Sequence, residues 1–192
     1  MKKLLLAFAL LGFSTSVFAE AGDWLFRAGA SMVAPKSNNH PAVEVDDGTM
    51  LTFNGSYFIT DRWAVEVLAA LPFKHDIDAI GGGTIGEVKH LPPTVSMQYH
   101  FMPANSIRPY VGVGLNYTFM FEEDIDGADL ELDNSTGWAA QIGVDIDLTE
   151  NVFLNTEVRY LDIDTDAKVN GVSIGTVEVD PVLFGINLGF RF

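Results

Sequence analysis

Read at a spacing of two, the chain repeats one pattern from near its start to its last residue. Val182, Phe184, Ile186, Leu188, Phe190 and Phe192 alternate with Leu183, Gly185, Asn187, Gly189 and Arg191. Over 137–148, Trp138, Ala140, Ile142, Val144, Ile146 and Leu148 alternate with small or polar residues, and 108–121 behaves likewise around Val111, Val113, Leu115, Tyr117, Phe119 and Phe121. Successive side chains of a β-strand point to opposite faces, so a period of two marks a strand, and a helical period fits none of these stretches. The pattern recurs over 23–34, 49–59, 63–73, 88–101, 152–163 and 178–192, which with the two internal stretches predicts eight strands.

The second face decides which kind of sheet this is. A water-soluble sandwich hides its apolar face and shows Lys, Glu and Thr to solvent. Here the alternate face reads Arg27, Gly29, Ser31; Thr52, Asn54, Ser56; Glu66; Ser96, Gln98, His100; Gly112, Gly114, Asn116; Asn155, Glu157, Arg159; Gly185, Asn187, Gly189, Arg191. Small and polar residues of this kind suit a crowded, hydrogen-bonded interior. The apolar stripes then face lipid, which only helices or closed sheets can cross.

The connections give an independent test. They alternate long (35–48, 74–87, 122–136, 164–177) and short (60–62, 102–107, 149–151). Outer-membrane barrels have short periplasmic turns and longer external loops, and an even strand count leaves both termini on the periplasmic side. The predicted fold is therefore an all-β, eight-stranded antiparallel up-and-down transmembrane barrel with four long external loops and three short periplasmic turns. With their flanking residues, the long connections hold 18 of the 26 acids. Aromatic residues gather at two levels, with Phe73, Tyr117, Phe119, Phe121, Trp138 and Tyr160 toward the long loops and Trp24, Trp63, Phe101, Phe153, Phe190 and Phe192 toward the short turns.

Composition agrees with an inside-out protein. Mean hydropathy is +0.20 and 48% of residues are apolar, although no later segment is apolar enough to span as a helix. Lys2 and Lys3 precede an apolar run from Leu4 to Phe13 and a small-residue cleavage signal at Ala19, which predicts a cleaved signal peptide over 1–19 and one barrel domain over 20–192. Losing those two lysines takes the formal charge from −15 to −17. So acidic a chain is a poor nucleic-acid binder, because phosphate neutralisation by Lys and Arg supplies most of that affinity. With no cysteine, stability rests on burial and backbone pairing.

Several sequence features resemble sites of chemistry and fail on context. Gly81, Gly83 and Gly86 have dinucleotide-fingerprint spacing, but the double proline that follows cannot open a phosphate-binding helix. Asp162, Asp164 and Asp166 begin like a calcium loop, but Ala167 stands where the turn glycine belongs and Ser173 where the bidentate Glu belongs. The acidic run from Glu122 to Asp133 reads as a solvated loop, with divalent cations beside lipopolysaccharide as the alternative. His75 beside Asp76 and Asp78 lacks a serine to complete a triad. No cofactor, metal site or enzyme activity is expected. The inward charges Arg27, Glu66, Asp145, Glu157, Arg159 and Arg191 are expected to pair inside a narrow lumen and close its periplasmic half. The apolar inward residues Leu68, Met120, Leu161 and Leu183 are expected to line the entry above them.

The stretches KHLPPTVSMQYHF, RPYVGVGLNYTFMFE, YLDIDTDA and VDPVLFGINLGFRF, with FRAGASMVAPKSNN near the start, resemble in order the OmpW family of Gram-negative outer-membrane proteins. The resemblance implies an outer-membrane location and a narrow, partly apolar interior that admits small hydrophobic molecules. It further implies that passage ends laterally, through an opening in the wall at Pro92 and Pro93. Proline lacks the N–H that a ladder needs, so the pair either opens the wall or ends strand pairing at the rim without a role in passage.

The expected function is passive uptake of small hydrophobic solutes with lateral exit; the alternatives are a structural or adhesive barrel acting through its acidic loops, and a soluble lipocalin-like binder. The expected surroundings are outer-membrane lipid and lipopolysaccharide. Phe192 resembles the terminal signal read by the barrel assembly machinery, and the lipid-facing stripe, with no flat patch, points to a monomer.

Overall fold

In the computed structural model the residues described are 20–36, 43–45, 47–71, 73–79, 83–125 and 127–192. The predicted signal peptide, His40, and Gly81 of the glycine stretch lie outside them, as do the side chains of Lys74, His75, Asp76, Asp78 and Glu122 to Asp124. The regular structure is all strand: β1 (Trp24–Ala34), β2 (Val43–Val45), β3 (Gly48–Phe58), β4 (Trp63–Ala70), β5 (Phe73–Ala79), β6 (Thr84–Leu91), β7 (Thr94–His100), β8 (Ile107–Ile125), β9 (Leu130–Leu132), β10 (Ser135–Asp147), β11 (Val152–Leu161), β12 (Asp164–Val169), β13 (Val172–Glu178) and β14 (Val182–Arg191).

Eight of these strands close a barrel, in the order β1, β3, β4, β7, β8, β10, β11, β14 and back to β1, every pair antiparallel. Closure against the first strand runs from Leu25↔Arg191 to Ala34↔Val182. Phe192 adds one further rung, exchanging backbone hydrogen bonds with Trp24 at 2.9 and 3.1 Å. The last residue is thus held in the ladder, which removes the edge that a frayed end would expose to lipid.

Alternation sorts the side chains as the parity of the sequence requires. Leu115, Val113 and Ile186 are each about two-thirds exposed, whereas Arg27, Asn54, Glu66 and Gln98 are fully buried. Aromatic contacts form two belts, Trp24–Tyr57, Trp63–Tyr99 and Tyr99–Phe101 at the short-turn end, and Tyr117–Phe119 and Trp138–Tyr160 at the other. Phe153 departs from the expected girdle. Its neighbour Leu154 faces out, so the ring points inward and is buried with Leu25, Phe58 and Ala64.

The long connections carry structure of their own. β5 and β6 form a hairpin that continues above the barrel, flanked by β2 and by the outer half of β8. β12 and β13 form a second hairpin joined by Asn170 and Gly171, both at positive φ, with β9 along its other side. The stretch 88–101, which reads as one strand in the sequence, is divided into β6 and β7 by Pro92 and Pro93.

Candidate lumen and lateral opening

The lumen is built in layers, because inward residues at equal height on neighbouring strands share a chemistry. At the periplasmic end, Leu25, Phe58, Ala64 and Phe153 form an apolar floor. Arg108 lies over the Phe153 ring at 5.6 Å and donates to Asp147 at 2.6 Å. Arg191 pairs with the other oxygen of Asp147 at 3.5 Å.

Above the floor lies a network of buried ions. Arg27 grips Asp145 at two points, Nε to Oδ1 at 3.2 Å and Nη2 to Oδ2 at 2.9 Å, and donates from Nη1 to Ser56 at 2.9 Å and Glu66 at 3.5 Å. Glu66 also accepts from Gln98 at 2.7 Å, Gln141 at 3.1 Å and Arg159 at 2.8 Å. Arg159 reaches Glu157 at 3.2 Å, and the Tyr110 hydroxyl donates to the same carboxylate oxygen at 3.0 Å. Asn155 and Asn187 carry the network across to Thr52. Two arginines face three carboxylates, and the neutral donors of Gln98, Gln141, Asn54, Tyr110 and Asn155 take up the remaining lone pairs. Buried charges persist only when paired and hydrogen-bonded in this way.

The six charges chosen from the sequence therefore fall into two groups. Arg27, Glu66, Asp145, Glu157 and Arg159 share one network, whereas Arg191 sits lower, with Asp147 and Arg108. Sequence reasoning missed Arg108, Asp147 and Tyr110, although their inward parity on β8 and β10 was available as a signal.

The network ends upward in an apolar cluster of Val33, Met50, Ala139, Leu161, Ile163 and Leu183, which Ala167, Val177 and Val179 of the outer hairpin extend. Of the four residues expected to line an entry, Leu161 and Leu183 are in this cluster and Met120 packs against it, while Leu68 is buried beside the seam described below. Beyond the cluster is a cavity of about 170 Å³ between β6, β8, β9, β12 and β13. Its walls are almost wholly carbon, from residues such as Val88, Met120, Leu130, Leu132, Ala167 and Val177, and its polar lining residues are His90 and Thr165. The Thr165 hydroxyl donates to the Asp133 carbonyl at 2.6 Å. Met120 is the one sequence-chosen lining residue that borders the cavity.

Beside the cavity the wall changes. Pairing of β4 with β7 stops at Leu68↔Thr94 and pairing of β5 with β6 begins at Phe73↔His90, five steps on one side against four on the other, so the register slips by one residue. Among the described residues, no pairing joins 69–71 to Leu91, Pro92 and Pro93. The opposite edge holds: Leu91↔Phe119 and Thr94↔Asn116 keep one register, and Tyr117 donates to the Pro93 carbonyl at 3.0 Å. Since N–H and C=O of successive strand residues alternate sides, Pro93 faces β8 and Pro92 faces β4. Pro92 has no N–H to offer there, and its carbonyl is taken by the Thr94 hydroxyl at 3.1 Å.

A closed eight-stranded barrel with a lipid-facing apolar exterior, two aromatic belts and an ion-filled lumen is an integral outer-membrane β-barrel protein. Residues 20–192 match the OmpW family, and the chain belongs to it. It is 42% identical to Outer membrane protein W of Vibrio cholerae over the full length of both chains. The crystal structure of the outer membrane protein OprG from Pseudomonas aeruginosa superposes with a TM-score of 0.81 at 32% identity, covering 92% of this chain and 98% of that one. A more distant relative, 26% identical over 100% of this chain and 99% of its own, is the Dibenzothiophene metabolism operon protein PahQ of Pseudomonas aeruginosa. These relatives bear names of outer-membrane or operon proteins rather than of enzymes.

Proposed function

We propose that this barrel is a passive conduit that takes small hydrophobic solutes from the cell surface into the outer membrane. The reading rests on one juxtaposition, an apolar cavity set above a closed ionic network and beside an unpaired stretch of wall. A solute enters between the outer hairpins, cannot cross the network below without breaking buried ion pairs, and leaves sideways near Pro92. An aromatic ring burying ~150 Å² gains about 4 kcal/mol on leaving water, at about 25 cal/mol per Å². The bilayer offers a similar gain, so the step from cavity to lipid is nearly level and the solute is not trapped. The name of the dibenzothiophene-operon relative, which refers to a hydrophobic aromatic compound, points to the same class.

The test is uptake of a hydrophobic fluorescent probe into cells matched for barrel abundance. Pro92→Thr restores a donor facing β4 and should lower uptake toward that of cells lacking the protein. Pro93→Thr adds a donor to the intact β8 seam and should leave uptake near the parent's. Unchanged uptake in Pro92→Thr sinks the lateral route.

A further inference from the structure

We infer that Arg62 and Tyr99 form a binding site for the phosphate of an inner-leaflet phospholipid, with preference for a lipid of net negative charge. The site lies on the outer wall at the short-turn end and is independent of the solute route. Its base is the turn between β3 and β4, where the Thr60 hydroxyl accepts from the backbone N–H of Arg62 at 3.3 Å and of Trp63 at 3.0 Å, a Ser/Thr-type turn. His100 donates its backbone N–H to the Arg62 carbonyl at 2.8 Å, which ties that turn to the end of β7. From there Arg62 Nη1 donates to the Tyr99 hydroxyl at 3.1 Å. The Tyr99 ring is held by edge contacts with Trp63 and Phe101, at centroid distances of 4.9 and 5.1 Å. These rings belong to the aromatic belt, whose amphipathic side chains sit at headgroup level.

Charge identifies the occupant. Arg62, Arg108 and Arg191 lie at the short-turn end, but Arg108 and Arg191 are buried and share Asp147, whereas Arg62 is exposed. Among the described residues no carboxylate pairs with Arg62. Its neighbour Asp61 is engaged beside β1, accepting from the Ala21 N–H at 3.1 Å. The bond to Tyr99 uses one N–H of the guanidinium, and the others, with the hydroxyl's own proton, are left to donate. A phosphodiester offers charged oxygens that suit this fork of donors. Beyond the rings, Val65↔Met97 and Val67↔Val95 continue the outward face of the same two strands and give the acyl chains an apolar wall. A zwitterionic lipid carries its own ammonium, which competes with Arg62 for the phosphate, and a net-anionic lipid carries none. A free phosphate lacks the chains that the wall would hold.

The experiment takes the barrel as purified from outer membranes into detergent micelles, with ¹⁵N-labelled arginine, and titrates dioleoyl phosphatidylglycerol, dioleoyl phosphatidylethanolamine and glycerol phosphate. Phosphatidylglycerol should shift the Arg62 Nε signal saturably while that of the buried Arg159 stays fixed. Phosphatidylethanolamine should need about fivefold more lipid, and glycerol phosphate should give no saturable shift over the same range. Lipid retained per barrel, counted by native mass spectrometry, reads the variants, and heat-dependent gel mobility confirms that each is folded. Arg62→Gln should weaken phosphatidylglycerol binding about fivefold, as expected for one basic residue beside an anionic surface. Tyr99→Phe keeps the ring, removes the hydroxyl and should weaken binding at least about twofold. Lys168→Gln, on the outer hairpin, should leave it unchanged. Parent-like binding in Arg62→Gln or in Tyr99→Phe overturns the inference. Equal binding of phosphatidylethanolamine, or a saturable response to glycerol phosphate, overturns it as well.

Discussion

Replacing Arg27 with Met tests whether the buried network holds the lumen together. The side chain is fully buried and makes a two-point grip on Asp145, bonds to Ser56 and Glu66, and lies 5.2 Å from the Tyr110 ring centre. Methionine keeps much of the stem and removes the fork. Three carboxylates then face Arg159 alone within the network, and Asp145 loses its direct cation. Breaking a buried pair by removing one partner costs about 3–5 kcal/mol, because the other charge stays buried and uncompensated. Asp145→Asn in the same chain should recover about 1–3 kcal/mol, since the amide oxygen still accepts from Asn155, now 2.8 Å from Asp145. The assay is reversible urea unfolding in the presence of lipid vesicles, with the folded fraction read from gel mobility. A surface control, Asp133→Asn, removes a half-exposed contact to Lys168 at 3.8 Å and should stay within about 0.5 kcal/mol of the parent. A cost below about 1 kcal/mol for Arg27→Met, or no recovery in the double variant, refutes the claim that ion pairing holds this layer.

The remaining expectations are brief. Gly29→Ala puts a Cβ 2.1 Å from the Ile186 carbonyl and should destabilise by at least about 1–3 kcal/mol, whereas Gly55→Ala meets nothing within 4 Å and should be nearly neutral in the same assay. At the root of the outer hairpin, partial burial and then the neighbouring Asp180, Asp162 and Glu178 hold the Asp164 carboxyl above the usual carboxylate range. A raised folded value favours the protonated form. Hairpin stability should therefore grow as pH falls through the carboxylate range, read as exchange protection of the Val179 amide, which bonds the Ile163 carbonyl at 2.9 Å. Asp164→Asn should flatten that trend. Deleting Phe192 removes the last rung against Trp24 and should lower the amount of folded barrel recovered from outer membranes. N-terminal sequencing of that material should begin at Glu20.

What the sequence disclosed is what a period of two can carry. Parity separated Arg27, Glu66, Asp145, Glu157 and Arg159 from the lipid stripe, because a strand flips side chains with every residue. Phe153 was misplaced by its aromatic character, although the outward Leu154 beside it fixed the parity. The outer hairpins were hidden for a different reason. β12 reads Asp164, Thr165, Asp166, Ala167, Lys168, Val169, with its charges exposed or half-exposed and Thr165 and Ala167 buried, but its two aspartates, alternating with Asp162 just before it, invite a loop reading. The cavity depends on packing between two hairpins far apart in sequence, which no local pattern encodes. Pro92 and Pro93 were visible from the start; which seam they leave unpaired was not, because that depends on register.

The register also explains how one seam of a lipid-embedded barrel stays unpaired over a few residues without ruining it. Every unsatisfied backbone group within the bilayer costs several kcal/mol, so an ordinary gap three residues long would not survive. Here most of the groups that would be stranded are absent or occupied. Pro92 has no donor and its carbonyl is held by Thr94, while Pro93 turns to β8 and receives Tyr117. On the facing strand, Leu71 donates to the Leu51 carbonyl, which by alternation turns Ala69 the same way and leaves Ala70 as the described residue whose N–H faces the gap. A tandem proline on one strand and the one-residue slip opposite thus reduce the unpaired groups at the gap, among the described residues, to the N–H and C=O of Ala70. The same two residues on the next seam would strand a full set of partners, so the place of the unpaired stretch follows from which neighbour Pro92 faces.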